Sequence, residues 1–582
     1  MSFTLQSLPI PNWRWIKDLV WRIEHAFERA RAAGRAENDT RLRIFVVLAI
    51  FSIAFVVLAA GAAKMVIFPD VSRIEAVGRE GGLDRADLVD RNGAVLALDL
   101  EHYGLYLEPH DIWDVGETRR ALLAALPDLQ AARLDHALNS KHRSFLVGGL
   151  TPTAKAQIHD LGLPGVSFEP EQKRIYPLGS TAAHVIGFTD TGGLGLEGAE
   201  AAFNDEIRKT ADPRTPFALS VDLRIQAALE DELTKAAQEF HPLGAVGVVT
   251  NVKTGEVLGM ASWPSFDPNH PGQATDDQKL NRAASAVYEM GSTFKAFTVA
   301  IGLDTGVATP DSTFDARVPF HLGYRTIHDY HAAKKILSLV EVFQHSSNIG
   351  TARLAEQIGP KRLSQYFIAL GLTRPAKIEL KESAMPLIPH KWDDDAVAST
   401  SFGHGIDVSP LALSRAMGAL LNGGTLVPLT IHKLPADAKV AGPRVVSEKT
   451  SQQMLQIMRA NVTGGSGGKA DVPGLSVGGK TGTGEKYIKA LGGYSQTQQV
   501  SSFAAVFPTD GDAKTDRYFV LILLDEPHGN AATGGFSTGG WVAAPAAGRV
   551  IDRISPFLHV QRQANLASLV AQTKPANPGD ER

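Results

Sequence analysis

Ser292 and Lys295, in the stretch YEMGSTFKAF (288–297), could together make an activated nucleophile. A serine hydroxyl is a poor nucleophile near neutral pH and needs a base within hydrogen-bond reach. Positions i and i+3 of a helix share a face, so Lys295 can lie beside Ser292. For the lysine to accept a proton its pKa must fall, which burial and a second nearby cation would both cause. The same residues also read as the capped start of a buried helix, with Phe294, Phe297 and Ile301 toward a core. A second Ser-x-x-Lys, Ser466 to Lys469 in GGSGGK, serves as a control. It lies in a glycine run of poor helix propensity, where nothing predicts a shared face.

Two further groups add weight. Ser346-Ser347-Asn348 opens a helical pattern (NIGTARLAEQIG), and its plain alternative is helix capping. Lys480-Thr481-Gly482-Thr483 precedes a turn-rich segment, whereas the other Lys-Thr-Gly, at 253, reads as a hairpin turn. Together they supply a nucleophile and base, a serine and an amide for a cleft, and a cation beside a strand. That cation would hold Lys295 neutral and could receive a substrate carboxylate. The backbone N–H groups of Ser292 and Thr483 are natural oxyanion donors.

These residues need elements to carry them. A chain of 582 residues implies more than one domain. Residues 44–63 (IFVVLAIFSIAFVVLAAGAA) carry no charge and are long enough to span a bilayer. Five arginines lie in the twenty residues before the run, and three Lys or Arg in the twenty after it. That bias predicts a cytoplasmic segment at 1–43 and an exported body, with an uncleaved anchor favoured over a signal peptide. DRNGAVLAL (90–98) reads as a hairpin and 150–161 as a helix capped at Thr151. A long amphipathic helix is expected over 219–240, then strands at 244–252 and 256–263. A terminal strand pair is expected near 500–507 and 518–524, and a disordered tail over 561–582. The expected domains are a pedestal at 64–217 and a catalytic module at 218–560.

Several function classes recede. A net charge of −4 gives no electrostatic case for nucleic acid, and the absence of cysteine removes thiolate chemistry. His321, His328, His331 and His345 share a region without sign of convergence, so no metal or other cofactor is expected. Asp393-Asp394-Asp395 reads as a solvated loop.

Ser-x-x-Lys, Ser-x-Asn and Lys-Thr-Gly, in this order, resemble the penicillin-recognising serine acyl-enzymes. DRNGAVLA (90–97), RIYPLGSTAAHVIGF (174–188), GLEGAE (195–200), TGEVLGMASWPSFDPN (254–269), SFGHGIDVSPLAL (401–413), NGG (422–424) and GGWVAAP (539–545) extend the likeness to the class B penicillin-binding proteins. The resemblance implies a multidomain α+β chain: an N-terminal transmembrane helix, an extended α/β pedestal, and a transpeptidase domain whose antiparallel five-stranded sheet lies between helices. It implies cross-linking of peptidoglycan stem peptides, with β-lactams acylating the same serine. Ser292 is then the nucleophile and Lys295 its base. Ser346 would relay a proton and Asn348 would orient the substrate amide. Lys480 and Thr481 would bind the terminal carboxylate, with Gly482 and Thr483 completing the binding strand. Met290 stands where many members carry proline, and His404 where tyrosine is frequent. SSNIGTARLAEQIG and SFGHGIDVSP resemble the division-specific type, which implies the division site of the bacterial inner membrane, a membrane-embedded glycan polymerase and other division proteins as partners. The alternatives are an elongation-type transpeptidase, a D,D-carboxypeptidase or β-lactamase-like acyl-enzyme, and a non-enzymatic division scaffold.

Overall fold

The computed structural model describes residues 85–209, 215–322, 324–330, 333–488, 492–512 and 514–563, with isolated helical positions before residue 85. The chain forms two compact units, Met1–Gly81 and Gly82–Arg582. In the first, Val47, Leu48, Phe51, Phe55 and Leu58 are helical and exposed. Among the described residues no helix is long and apolar enough to cross a membrane. Most of the 44–63 run, most of the 1–43 segment and all of the tail from 564 lie outside those residues, as does His331.

The second unit begins with a sheet centred on one long strand. The strand β1 (Leu88–Val89) turns into β2 (Val95–Leu107). Asp90 closes that turn by accepting from the N–H groups of Asn92 at 2.7 Å and Ala94 at 2.9 Å. This Asx-type turn is the chemistry expected of the Asp-Arg-Asn-Gly run, with Gly93 at φ +89°. Along its length β2 pairs antiparallel with β1, β3 (Ser144–Leu150) and β4 (Val166–Ile175). The short β5 (Phe217–Ala218) joins β1 in parallel. Leu105, Leu107, Leu122, Leu134, Leu146 and Ile158 form a small apolar core under this sheet. The expected helix at 150–161 spans Pro152–His159, and the Thr151 side chain accepts from the N–H of Ala154.

The larger sheet positions the chemistry. After the helix α1 (Leu223–Phe240), capped by Asp222, come β6 (Gly244–Asn251) and β7 (Val257–Trp263). Three strands from the C-terminal part complete it: β8 (Gly478–Ile488), β9 (Gly493–Phe507) and β10 (Tyr518–Asp525). All neighbours are antiparallel, in the order β8-β9-β10-β6-β7. The expected terminal pair is thus not terminal in space: β10 is the central strand. Its sequence YFVLILLD shows why. Val520, Ile522 and Leu524 face one apolar core while Phe519, Leu521 and Leu523 face another. A strand buried on both faces reads as a continuous apolar run, not an alternation. One core is closed by α1 and the C-terminal helix α2 (Gly539–Ile554), and the other by a helical layer that includes Lys295–Asp304 and Glu448–Gly464. The strand β8 lies at the edge, with one rim of its backbone open.

Candidate active site

Ser292 sits in a 3₁₀ turn, Gly291–Phe294, that continues into the helix Lys295–Asp304. Phe294 and Phe297 are fully buried, so both readings of this stretch hold: it is a core helix, and burial fixes its first turn. The turn lies against the edge of β8. A Cβ on Gly291, which has φ +53°, would come within 2.3 Å of the Thr483 carbonyl oxygen, and one on Gly482 within 2.6 Å of the Met290 carbonyl oxygen. Only glycine allows that approach at either position. Since the carbonyl and N–H of one strand residue point the same way, the Thr483 N–H also faces this open rim. The Thr483 hydroxyl is held from behind, accepting from the Gly539 N–H at 3.2 Å.

Lys295 and Lys480 are both fully buried, and among the described residues neither forms an ion pair with a carboxylate. They converge on one hydroxyl. The Lys295 ammonium nitrogen donates to Ser346 Oγ at 3.1 Å and to the Ser346 carbonyl oxygen, while Lys480 Nζ donates to Ser346 Oγ at 2.9 Å. Lys480 also reaches the Thr481 carbonyl oxygen at 3.2 Å and Thr481 Oγ1 at 3.3 Å. Burial pushes Lys295 down to about 7, opposed by the charge of Asp329. Burial and then Lys295 hold Lys480 well below the usual lysine range. Two cations sharing one dry site cannot both stay charged cheaply.

Valence decides what each group can do. A neutral amine has two N–H bonds and one lone pair. The two contacts from Lys295 to Ser346 use both N–H bonds, and the lone pair remains for the Ser292 proton. Ser346 Oγ accepts from both lysines, so its lone pairs are occupied and its own proton is left to donate. Ser346 holds this place at φ +53°, between the helix Leu339–Gln344 and the helix Asn348–Ile358. Asn348 Nδ2 donates to the His328 carbonyl oxygen at 3.0 Å. Among the described residues no hydrogen bond joins Ser292 directly to Lys295.

The structure also corrects the reading of the control motif. Ser466 is not a bystander in a glycine loop. Its hydroxyl lies 2.9 Å from Thr481 Oγ1 and 3.2 Å from Asn461 Oδ1. Asn461, fully buried, donates through Nδ2 to the Gly479 carbonyl oxygen at 2.8 Å. The lysine of that motif does turn away, with Lys469 Nζ 4.0 Å from the Trp541 ring centroid. Asp393 is a helix cap rather than a loop residue, since its side chain accepts from Ala396 N–H at 3.0 Å. Met290 is buried in the core, and the His404 ring stands edge-on to Phe402 at 5.3 Å and Tyr494 at 5.4 Å. His321 bonds Thr326, and no cluster of potential metal ligands occurs among the described residues.

Comparison with known proteins identifies the domains that hold this site. The penicillin binding protein transpeptidase domain matches residues 245–551, and the penicillin-binding protein dimerisation domain matches residues 83–207. The chain is 65% identical, over 98% of its length and 97% of the relative's, to the Caulobacter vibrioides protein named "Probable peptidoglycan D,D-transpeptidase FtsI". It is 30% identical to the Escherichia coli peptidoglycan D,D-transpeptidase FtsI, covering 84% of this chain and 86% of that one. Penicillin binding protein 3 of Mycobacterium tuberculosis, solved with ampicillin, superposes with a TM-score of 0.64 at 25% identity, covering 83% of this chain and 97% of that one. The chain belongs to the class B penicillin-binding proteins.

Proposed function

We propose that this protein is a peptidoglycan D,D-transpeptidase of the division septum, working through an acyl-enzyme on Ser292. The observation that carries the reading is the buried pair Lys295 and Lys480 meeting on Ser346 Oγ beside the Ser292 turn. Lys295 takes the Ser292 proton as Oγ attacks the penultimate D-alanine carbonyl. The oxyanion is received by the N–H groups of Ser292 and Thr483. As the C–N bond breaks, Ser346 passes its proton to the departing D-alanine nitrogen and is reprotonated from Lys295. An amine of a neighbouring stem peptide then attacks the ester carbon, its proton returns through the same groups, and Ser292 leaves. Lys480 and Thr481 bind the terminal carboxylate, Asn348 orients the substrate amide, and Gly482 lets the strand approach the nucleophile. A β-lactam follows the first half only, because its leaving nitrogen stays tethered.

The domain limits belong to the same proposal: a cytoplasmic segment at 1–43, an inner-membrane anchor at 44–63, a pedestal at 64–217, a periplasmic transpeptidase domain at 218–560 and a tail at 561–582. The uncharged twenty-residue run supports the anchor. The partners would be a membrane-embedded glycan polymerase and other division proteins, met through the anchor and pedestal. The test is release of D-alanine and formation of cross-linked dimers from nascent strands bearing pentapeptide stems. Both activities should vanish together in Ser292→Ala. D-Alanine release without dimers would assign a carboxypeptidase instead, and cross-linking by Ser292→Ala would refute the reading.

A further inference from the structure

The roles above leave one carboxylate at the cleft without a task. Asp329 lies in the loop after the short strand Arg325–Ile327 and reaches the start of the helix Asn348–Ile358. Its Oδ2 accepts from the Ser347 hydroxyl at 2.8 Å, and its Oδ1 accepts from the Ile349 N–H at 3.0 Å. Ser347 Oγ in turn accepts from the Gly350 N–H at 3.0 Å, and Asn348 is tied to the residue before Asp329 through the His328 carbonyl. The loop thus clamps the Ser347, Asn348 and Ile349 positions, which directly follow the strained Ser346. Two fully buried lysines face this corner, and no carboxylate among the described residues pairs with either.

We propose that Asp329 is a positioning residue of the acylation step, pinning the Ser346–Asn348 turn in the cleft and supplying the negative charge that acts on Lys295. The two functions sit on one side chain. As a clamp, the carboxylate satisfies N–H and O–H donors at the helix start, where negative charge is also favoured by the helix dipole. As a charge, it moderates the neutralisation of Lys295 that burial imposes. The titratable groups facing Lys295 are Asp329 from the loop and Lys480 from β8, and of the two lysines it is Lys480 that the shared site neutralises further. Without Asp329 the lysine would lose its proton at lower pH, but Ser346 and Asn348 would be held less firmly.

The two functions give opposite signs, which makes them separable. The inference rests on acylation at Ser292, so labelling of Ser292 by penicillin is checked first in every variant. The rate of acylation is then followed against pH in the full-length detergent-solubilised protein. Asp329→Asn is expected to lower the alkaline plateau about tenfold through the lost charge-assisted bond. It should also move the acid limb to lower pH by about half a unit, since the attraction for protonated Lys295 is gone. Ser347→Ala removes one clamp bond and no charge, so its plateau falls while its limb stays in place. Asp329→Glu restores the limb position. An Asp329→Asn profile identical to the parent, or a lower plateau with an unmoved limb, overturns the proposal. A limb displaced equally by Ser347→Ala also overturns it, and remains decisive if Asp329→Asn does not fold.

Discussion

Ser346 is the residue on which the proposed chemistry turns, because two buried lysines each donate an N–H to its hydroxyl. In the proposed mechanism acylation requires the neutral form of Lys295, whose pKa is lowered to about 7 by burial. The deprotonated fraction grows as pH rises through that value, so the rate of penicillin acylation should climb with pH and be half-maximal near 7. Lys295→Arg, which cannot deprotonate in this range, should abolish the rise and nearly all of the rate. Stopped-flow acylation across the neutral range measures both. Ser466 gives a second prediction at this scale. Its bond to Thr481 Oγ1 orients the hydroxyl assigned to the substrate carboxylate, so Ser466→Ala should slow acylation about fivefold. Titration of the rate against penicillin concentration would place that loss in binding. The convergence of Lys295, Ser346 and Lys480 was legible in the sequence because each lies in a short local motif. Ser466, Asn461 and Asp329 were not, since each acts through a partner distant in the chain. A glycine run such as 464–468 carries no spacing that would point to Thr481.

Between elements, the decisive contact is the turn at Ser292 against the edge of β8. Glycines set its distance: a Cβ on Gly482 would meet Ser502 Oγ at 2.3 Å and the Met290 carbonyl at 2.6 Å. Gly482→Ala must push the strand from the nucleophile by a fraction of an ångström or more. A displacement of that order costs about 100-fold in rate when the reacting groups are preorganised. We expect that loss in acylation together with a lowered melting temperature, because the atoms met, on Met290 and Ser502, are buried. Parallel measurement of melting and acylation decides it; an unimpaired rate would mean the approach is looser than drawn. The hairpin at Asp90–Ala94 and the strands β6 and β7 were legible from turn chemistry and apolar patterning. The place of β10 at the sheet centre was not, because an apolar run states burial and not which strands flank it.

The whole molecule joins a transpeptidase sheet to a pedestal that contributes none of the reacting groups. The pedestal holds its shape partly through a buried ionic cluster. Glu200 accepts from Arg174 Nε at 2.7 Å and from Arg85 Nε at 3.1 Å, and Arg174 Nη1 donates to Asp99 at 3.0 Å. Removing one member of such a cluster strands the others without solvent, at a cost of about 3–5 kcal/mol. Glu200→Ala should therefore lower the melting transition of the pedestal sharply while leaving the site of penicillin labelling unchanged, which calorimetry with and without bound penicillin would show. That a dimerisation domain precedes a transpeptidase domain was readable from motif order, whereas residues 1–84 add only scattered helical positions to the described structure. In the proposed mechanism this assembly carries the acyl group on Ser292. Mass spectrometry of the penicillin-treated protein, with peptide mapping and a time course, tests it most directly. One adduct is expected, on the peptide containing Ser292, persisting for many minutes after free drug is removed. An adduct on another residue, or one hydrolysed within seconds, would contradict it.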